Sequence, residues 1–228
     1  MSIVYSTTAD SHVDEATSDG SWNDAQGSAT TDGGSYHSGR ATYDYGVYAG
    51  NFGSRGSNDY KCTRSYFVFD VSGESGTVDS ATISIYLDNL GTSSGNSVRV
   101  ILVEATALDD SVADHGNVFS GGVTWHNDLS SPAPTSTTAQ YIDFAMNSDG
   151  ITLIQNAIGS GSVTVGLVSW YHDYSENSPL GGGDYTKIKV WYSNFLGTAV
   201  DPKMDITYAA VADNATFFGA NFYHGGIW

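Results

Sequence analysis

Hydrophobic and polar positions alternate with a period of two over much of this chain, most clearly in residues 64–87, RSYFVFDVSGESGTVDSATISIYL. Ser65, Phe67, Phe69 and Val71 fall on one face of a first segment, with Tyr66, Val68 and Asp70 on the other. In a second segment Ile83, Ile85 and Leu87 alternate with Thr82, Ser84 and Tyr86. Successive side chains of a strand point to opposite faces, so this pattern predicts two half-buried strands joined by a polar link, each with one wet side. Each large apolar side chain removed from water contributes about 1.5–3 kcal/mol, which puts this pair at the centre of the predicted core.

The same reading predicts an opening strand over residues 3–13 and another over 40–50, where Ala41, Tyr43, Tyr45 and Val47 share a face. The rest of residues 14–60 is rich in Gly, Ser, Asp and Tyr and reads as long loop. Residues 97–105 form a strand that is apolar on both faces, Val98, Val100 and Leu102 against Ile101 and Val103, as expected of a central strand covered on each side. Further strands are predicted over 141–144, 163–170, 186–193 and 204–208, with a Tyr/Gly/Asp loop over 171–184. One helix is predicted, over 148–158. Asn147 or Ser148 supplies an N-cap, Ile151, Ile154 and Ile158 make a stripe at helical spacing, and Gly159 stops it. Many strands, one helix and Gly-rich turns predict an all-β sandwich of two antiparallel sheets.

Several segments together resemble the DNRLRE-type jelly-roll domain, a relative of carbohydrate-binding modules. The resemblance rests on the arginine and aromatic strand ending in Phe69-Asp70-Val71, on Ser80-Ala81-Thr82 opening the next strand, and on Val98-Arg99-Val100. Val123 to Asn127, residues 141–158 and Asp201 to Met204 continue it in the same order. It covers roughly residues 4–208 and implies a jelly-roll β-sandwich, with sugar binding as the activity of its relatives. The predicted domain is therefore 1–208. Residues 209–228, AAVADNATFFGANFYHGGIW, form a C-terminal tail beyond it.

Composition narrows the functions. The net charge is −17 with 8 Lys plus Arg, which repels a nucleic-acid backbone and an anionic membrane surface alike. The single cysteine, Cys62, excludes an intrachain disulfide framework; its basic neighbours Lys61 and Arg64 can lower a thiol pKa, but a lone strand cysteine is more often a buried, inert one. No apolar run approaches the ~20 residues of a membrane span, and no leader-like segment precedes the first strand. Localisation is accordingly expected in a virion or other released particle assembled in the host cytoplasm, with secretion as the alternative.

Catalytic spacing is not found: the six histidines make no zinc pattern, and there is no nucleophile elbow or phosphate loop. No catalytic residue and no cofactor is assigned. Asp109, Asp110 and Asp114 share one loop and are the candidates for a structural calcium, without matching an EF-hand. Trp170, Tyr171 and Tyr174, together with Tyr43 and Tyr45, are the glycan-binding candidates, because aromatic faces stack on sugar rings. Phe217, Phe218, Phe222, Tyr223 and Trp228 crowd the tail, whereas a free solvated tail is polar and poor in aromatics. The tail is expected to dock on its own domain or on a neighbour, and in the second case these residues are the subunit contacts.

Two functions are weighed. One is a non-enzymatic structural protein of an assembled particle, such as a phage capsid decoration, head or tail protein, whose partners are copies of itself or another particle protein. The other is a carbohydrate-binding module that stacks surface glycans on Trp and Tyr.

Overall fold

The alternation around residues 60–92 becomes two long strands in the computed structural model, and the other strands are laid against them. The structure describes residues 1–17, 21–27, 35–38, 44–53, 59–92, 99–105, 118, 124, 138–175, 179, 183–193 and 199–210. In chain order the strands are β1 (Ser2–Tyr5), β2 (Ser11–Thr17), β3 (Ser35–Ser38), β4 (Asp44–Asn51), β5 (Tyr60–Asp70) and β6 (Val78–Thr92). They continue as β7 (Val100–Glu104), β8 (Gln140–Ala145), β9 (Ser162–Ser169), β10 (Tyr185–Val190) and β11 (Lys203–Tyr208). The helices are α1 (Trp22–Gly27) and α2 (Ser148–Ala157), and Trp170–Tyr174 forms one π-helical turn.

The fold is an antiparallel all-β sandwich. One layer is β1-β11-β6-β8, and the other is β7-β9-β5-β2-β3. The two are not separate sheets. β6 passes β11 over Val78–Ser84 and then pairs with β10 over Leu87–Thr92. β10 pairs with β4, and β4 pairs with β5, so one hydrogen-bonded sheet bends over the open side of the sandwich. Long strands permit this, because β5 and β6 each serve one partner with one half and another with the other half.

Between the layers lies one large core. Phe67, Phe69 and Val71 meet Ile83, Ile85 and Leu87, with Leu102, Phe144, Val165, Leu167, Ile188, Met204 and Ile206 around them. The predicted inward faces of β5 and β6 are therefore the real ones. The opposite face of β5 is not wet, however. Tyr66 is buried there with Ile101, Val103, Val118 and Val168 in a second apolar cluster, and Val68 packs against it half-buried. β7 is covered on both faces as predicted, Val100 and Leu102 inward and Ile101 and Val103 outward. Among the described residues its ladder partner is β9, with a bridge from Val103 to Thr124.

Helix α2 forms where the sequence places it. Asn147 accepts from the N–H groups of Asp149 and Gly150 at 3.0 and 2.9 Å, which satisfies two donors of the first turn. Ile154 is buried in the core, and Gly159 follows with φ +77°, the left-handed conformation that ends helices.

Three parts of the amino-terminal third differ from expectation. The opening strand is broken into β1 and β2 by a turn in which the Asp10 N–H bonds to Thr7 O. β3 lies in what reads as loop. α1 lies there too, so the single predicted helix is one of two in the described residues. Its signal is a reciprocal cap, in which the Asp24 N–H donates to Ser21 Oγ while Asp24 Oδ2 accepts from the Ser21 N–H. No helix among the described residues is long and apolar enough to cross a membrane.

Candidate functional site

A buried pair of charges sits under α1. Arg64 points from β5 to Asp173 in the π-helical turn, donating from Nε to Oδ2 at 2.8 Å and from Nη2 to Oδ1 at 2.7 Å. Nη2 also donates to Gln26 O at 3.0 Å, and Gln26 Nε2 donates to Asp173 O at 2.6 Å. Three segments are thereby tied together. Burial opposes the charge on Arg64, but the Asp173 carboxylate overrides it, and the guanidinium pKa is raised. Cys62 lies beside this pair, fully buried in a small cluster with Trp22, Ala25 and Ala49. Burial first, and the Asp173 charge second, hold its thiol well above the ordinary range. A thiol kept protonated is a poor nucleophile, so the basic neighbours seen in sequence do not activate it. His172 joins the cluster, with Trp22 edge-on to its ring at 6.1 Å and Asp184 at 3.6 Å. The whole assembly is sealed and positions the turn.

That turn carries three predicted sugar-stacking residues. Ser175 N–H closes it on Trp170 O at 2.9 Å. Trp170 and Tyr174 are brought together, half-buried against the second apolar cluster on β5, β7 and β9. The Arg99 guanidinium lies 5.1 Å from the Trp170 ring centre. Tyr171 is outside that apolar cluster and sits edge-on to His172 at 4.9 Å. Much of the surface of these rings is therefore already spent on the protein itself. Tyr45 belongs to β4, and its side chain lies outside the described residues, as does Tyr43. Asp109, Asp110 and Asp114, and Phe217, Phe218, Phe222, Tyr223 and Trp228, also lie outside them.

A second aromatic surface was not anticipated. Tyr86 and Tyr141, directly opposed across β6 and β8, meet edge to face at 5.0 Å, and Trp191 meets Tyr86 at 5.2 Å. Lys203 Nζ stands 5.4 Å from the Tyr141 ring centre. Tyr141 donates its hydroxyl to Asp201 O at 3.0 Å, and its pKa is raised by burial and then by the Asp201 charge. The next row across the sheet is Tyr5, Lys203, Ser84 and Asp143, with Ser84 donating to Asp143 at 2.7 Å. Ile3, Asp205, Thr82 and Ala145 follow. These side chains alternate with core residues, so all of them face outward from the sandwich. Ile3 and Tyr5 are 50% and 42% exposed, and they lie on β1, the edge strand of this layer. The alternation in β6, β8 and β11 contained this face. Only the register shows that its rings are neighbours.

A third polar group joins distant segments. Asp10 is buried and accepts from Ser6 Oγ at 2.6 Å, from the Val68 N–H at 3.0 Å and from the Ser193 N–H at 3.4 Å. Burial pushes its carboxyl up to about 7 in spite of these donors. Nearby, Ser65 Oγ donates to Gly46 O at 2.6 Å and lies 2.7 Å from Tyr192 Oη.

No family model matches this chain, and no curated protein matches it.

Proposed function

We propose that this protein is a non-enzymatic structural component of an assembled particle, a phage virion decoration, head or tail protein being the specific form. The observation that carries this reading is where the sandwich closes. Among the described residues the large core is drawn from those between Val4 and Tyr208. At its end Glu74 accepts from Tyr208 Oη at 2.6 Å and from Ser2 Oγ at 2.7 Å, and Ala209 N–H bonds to Thr77 O. Eighteen residues with five aromatics and no Lys or Arg follow Ala210. Apolar side chains in such number favour burial against another surface. The buried acids support the reading too, since Asp10 and Asp173 each hold segments together rather than facing a cleft. The test is assembly followed by light scattering and electron microscopy. Deleting residues 211–228 should abolish higher-order species, and unchanged assembly would defeat the proposal.

A second reading, sugar binding, is favoured by the rigid mounting of Trp170, Tyr171 and Tyr174 on one turn anchored by Arg64 and Asp173. It predicts binding to a neutral glycan that weakens when Trp170 or Tyr171 becomes Ala. Folded protein that is blank across a glycan array would remove it.

A further inference from the structure

The outer face of β1, β11, β6 and β8 combines an edge strand of the described residues, two exposed apolar side chains and a pair of aromatic rings. β1 pairs with β11 and, among the described residues, with no other strand. Tyr5 on it is paired with Lys203, whose Nζ reaches the Tyr141 ring, and Ile3 lies one row further from the Tyr86–Tyr141 pair, opposite Asp205. An edge strand with outward apolar side chains is a template for another segment of chain.

We infer that this face receives residues 211–228 of a second copy of the chain. The inference rests on the assembly reading and names the surface that the tail meets.

Chemistry matches on the two sides. The segment brings Phe217, Phe218, Phe222, Tyr223 and Trp228, and the face offers exposed Ile3 and Tyr5 and half-buried Tyr86 and Tyr141. Aromatic rings gain from edge-to-face contact beyond the area they bury. In a chain of net charge −17, two copies repel one another. The segment contains one acid, Asp213, and so meets the least of that repulsion.

Reach is ample: eighteen extended residues span up to about 60 Å, against roughly 20 Å for a six-residue strand. Direction favours the second copy. The aromatic band lies at the Lys203 end of β11, whereas the chain leaves at the Tyr208 end. The Ala209 N–H to Thr77 O bond carries it still further along that course, away from the band of its own domain.

The test combines sedimentation with cross-linking. The full chain should sediment as a multiple of 24.1 kDa. Deletion of 211–228, and separately the double change Ile3→Glu with Tyr5→Glu, should each reduce it to a single chain with an unchanged circular dichroism spectrum. In a Cys62→Ser background, a chain carrying Ala145→Cys mixed with one carrying Ala220→Cys should yield a disulfide-linked pair on oxidation. If the deletion lowers the mass but Ile3→Glu with Tyr5→Glu does not, this face is wrong while the assembly reading stands. If the deletion leaves the mass of the full chain, the assembly reading fails and the inference falls with it. Cross-linking confined to a single chain carrying both cysteines would mean that the segment folds onto its own copy. Binding of a neutral oligosaccharide by the full chain, lost in Tyr141→Ala, would give the face to a sugar and overturn the inference.

Discussion

Arg64 and Asp173, 109 positions apart in the chain, form a buried two-point ion pair, with Nε to Oδ2 at 2.8 Å and Nη2 to Oδ1 at 2.7 Å. Parallel N–H···O bonds of this kind fix direction as well as distance. They hold the π-helical turn against β5, and α1 closes over both through Gln26.

Removing one partner strands the other charge in the interior, which costs about 3–5 kcal/mol. Asp173→Ala should therefore lower the urea midpoint severely. Replacing both residues, Arg64→Met with Asp173→Leu, should recover most of that loss. Equal damage from the single and double changes would mean that the pair contributes by packing alone.

Phe67 and Phe69 are fully buried between the layers. Phe67→Ala or Phe69→Ala should each cost about 3–5 kcal/mol in denaturant unfolding. Val68, on the opposite face and half-buried, should cost less when truncated.

Asp10 gives the fold a pH dependence of definite sign. Its folded pKa of about 7 lies above the ordinary carboxyl value of 3.8, because burial disfavours the charge. A raised pKa means that the contribution is fully present below about 3.8 and is lost as pH rises through about 7. Asp10→Asn should flatten the change in unfolding midpoint over that window. Carbon-13 titration of the Asp10 carboxyl near its usual value would refute this.

Gly46 has no room for a side chain. A Cβ there would stand 2.5 Å from Tyr192 Oη and 2.6 Å from both Ser65 Oγ and Val190 Cβ. Gly46→Ala should destabilise by about 1–3 kcal/mol through overpacking where β4 meets β5 and β10. A thermal melt reads this directly.

Local signals carried much of the fold. Alternation identified β5 and β6 with their inward faces, because the solvent and the core impose opposite chemistry on neighbouring side chains, and an unbroken apolar run marked β7 as covered on both faces. Asn147 and Gly159 bounded α2 because caps are decided within one turn. The short α1 went unread although Ser21 and Asp24 cap it, since six residues with two apolar anchors make a weak period. The candidate site was less legible. Trp170, Tyr171 and Tyr174 read as one exposed set, yet two of them rest in an apolar cluster and the third on His172.

What the order of residues decided by itself was the kind of protein: a β-rich, strongly acidic chain with an aromatic segment at residues 211–228. Periodicity, charge and composition are properties of neighbours along the chain, and they need no fold to be read. The meeting of Arg64 with Asp173, of Tyr86 with Tyr141, and of Asp10 with Val68 and Ser193 was decided by strand register. A shift of one residue in pairing would turn strand side chains such as Arg64, Tyr86 and Tyr141 to the opposite face, and only the packing of the whole sandwich fixes which register wins.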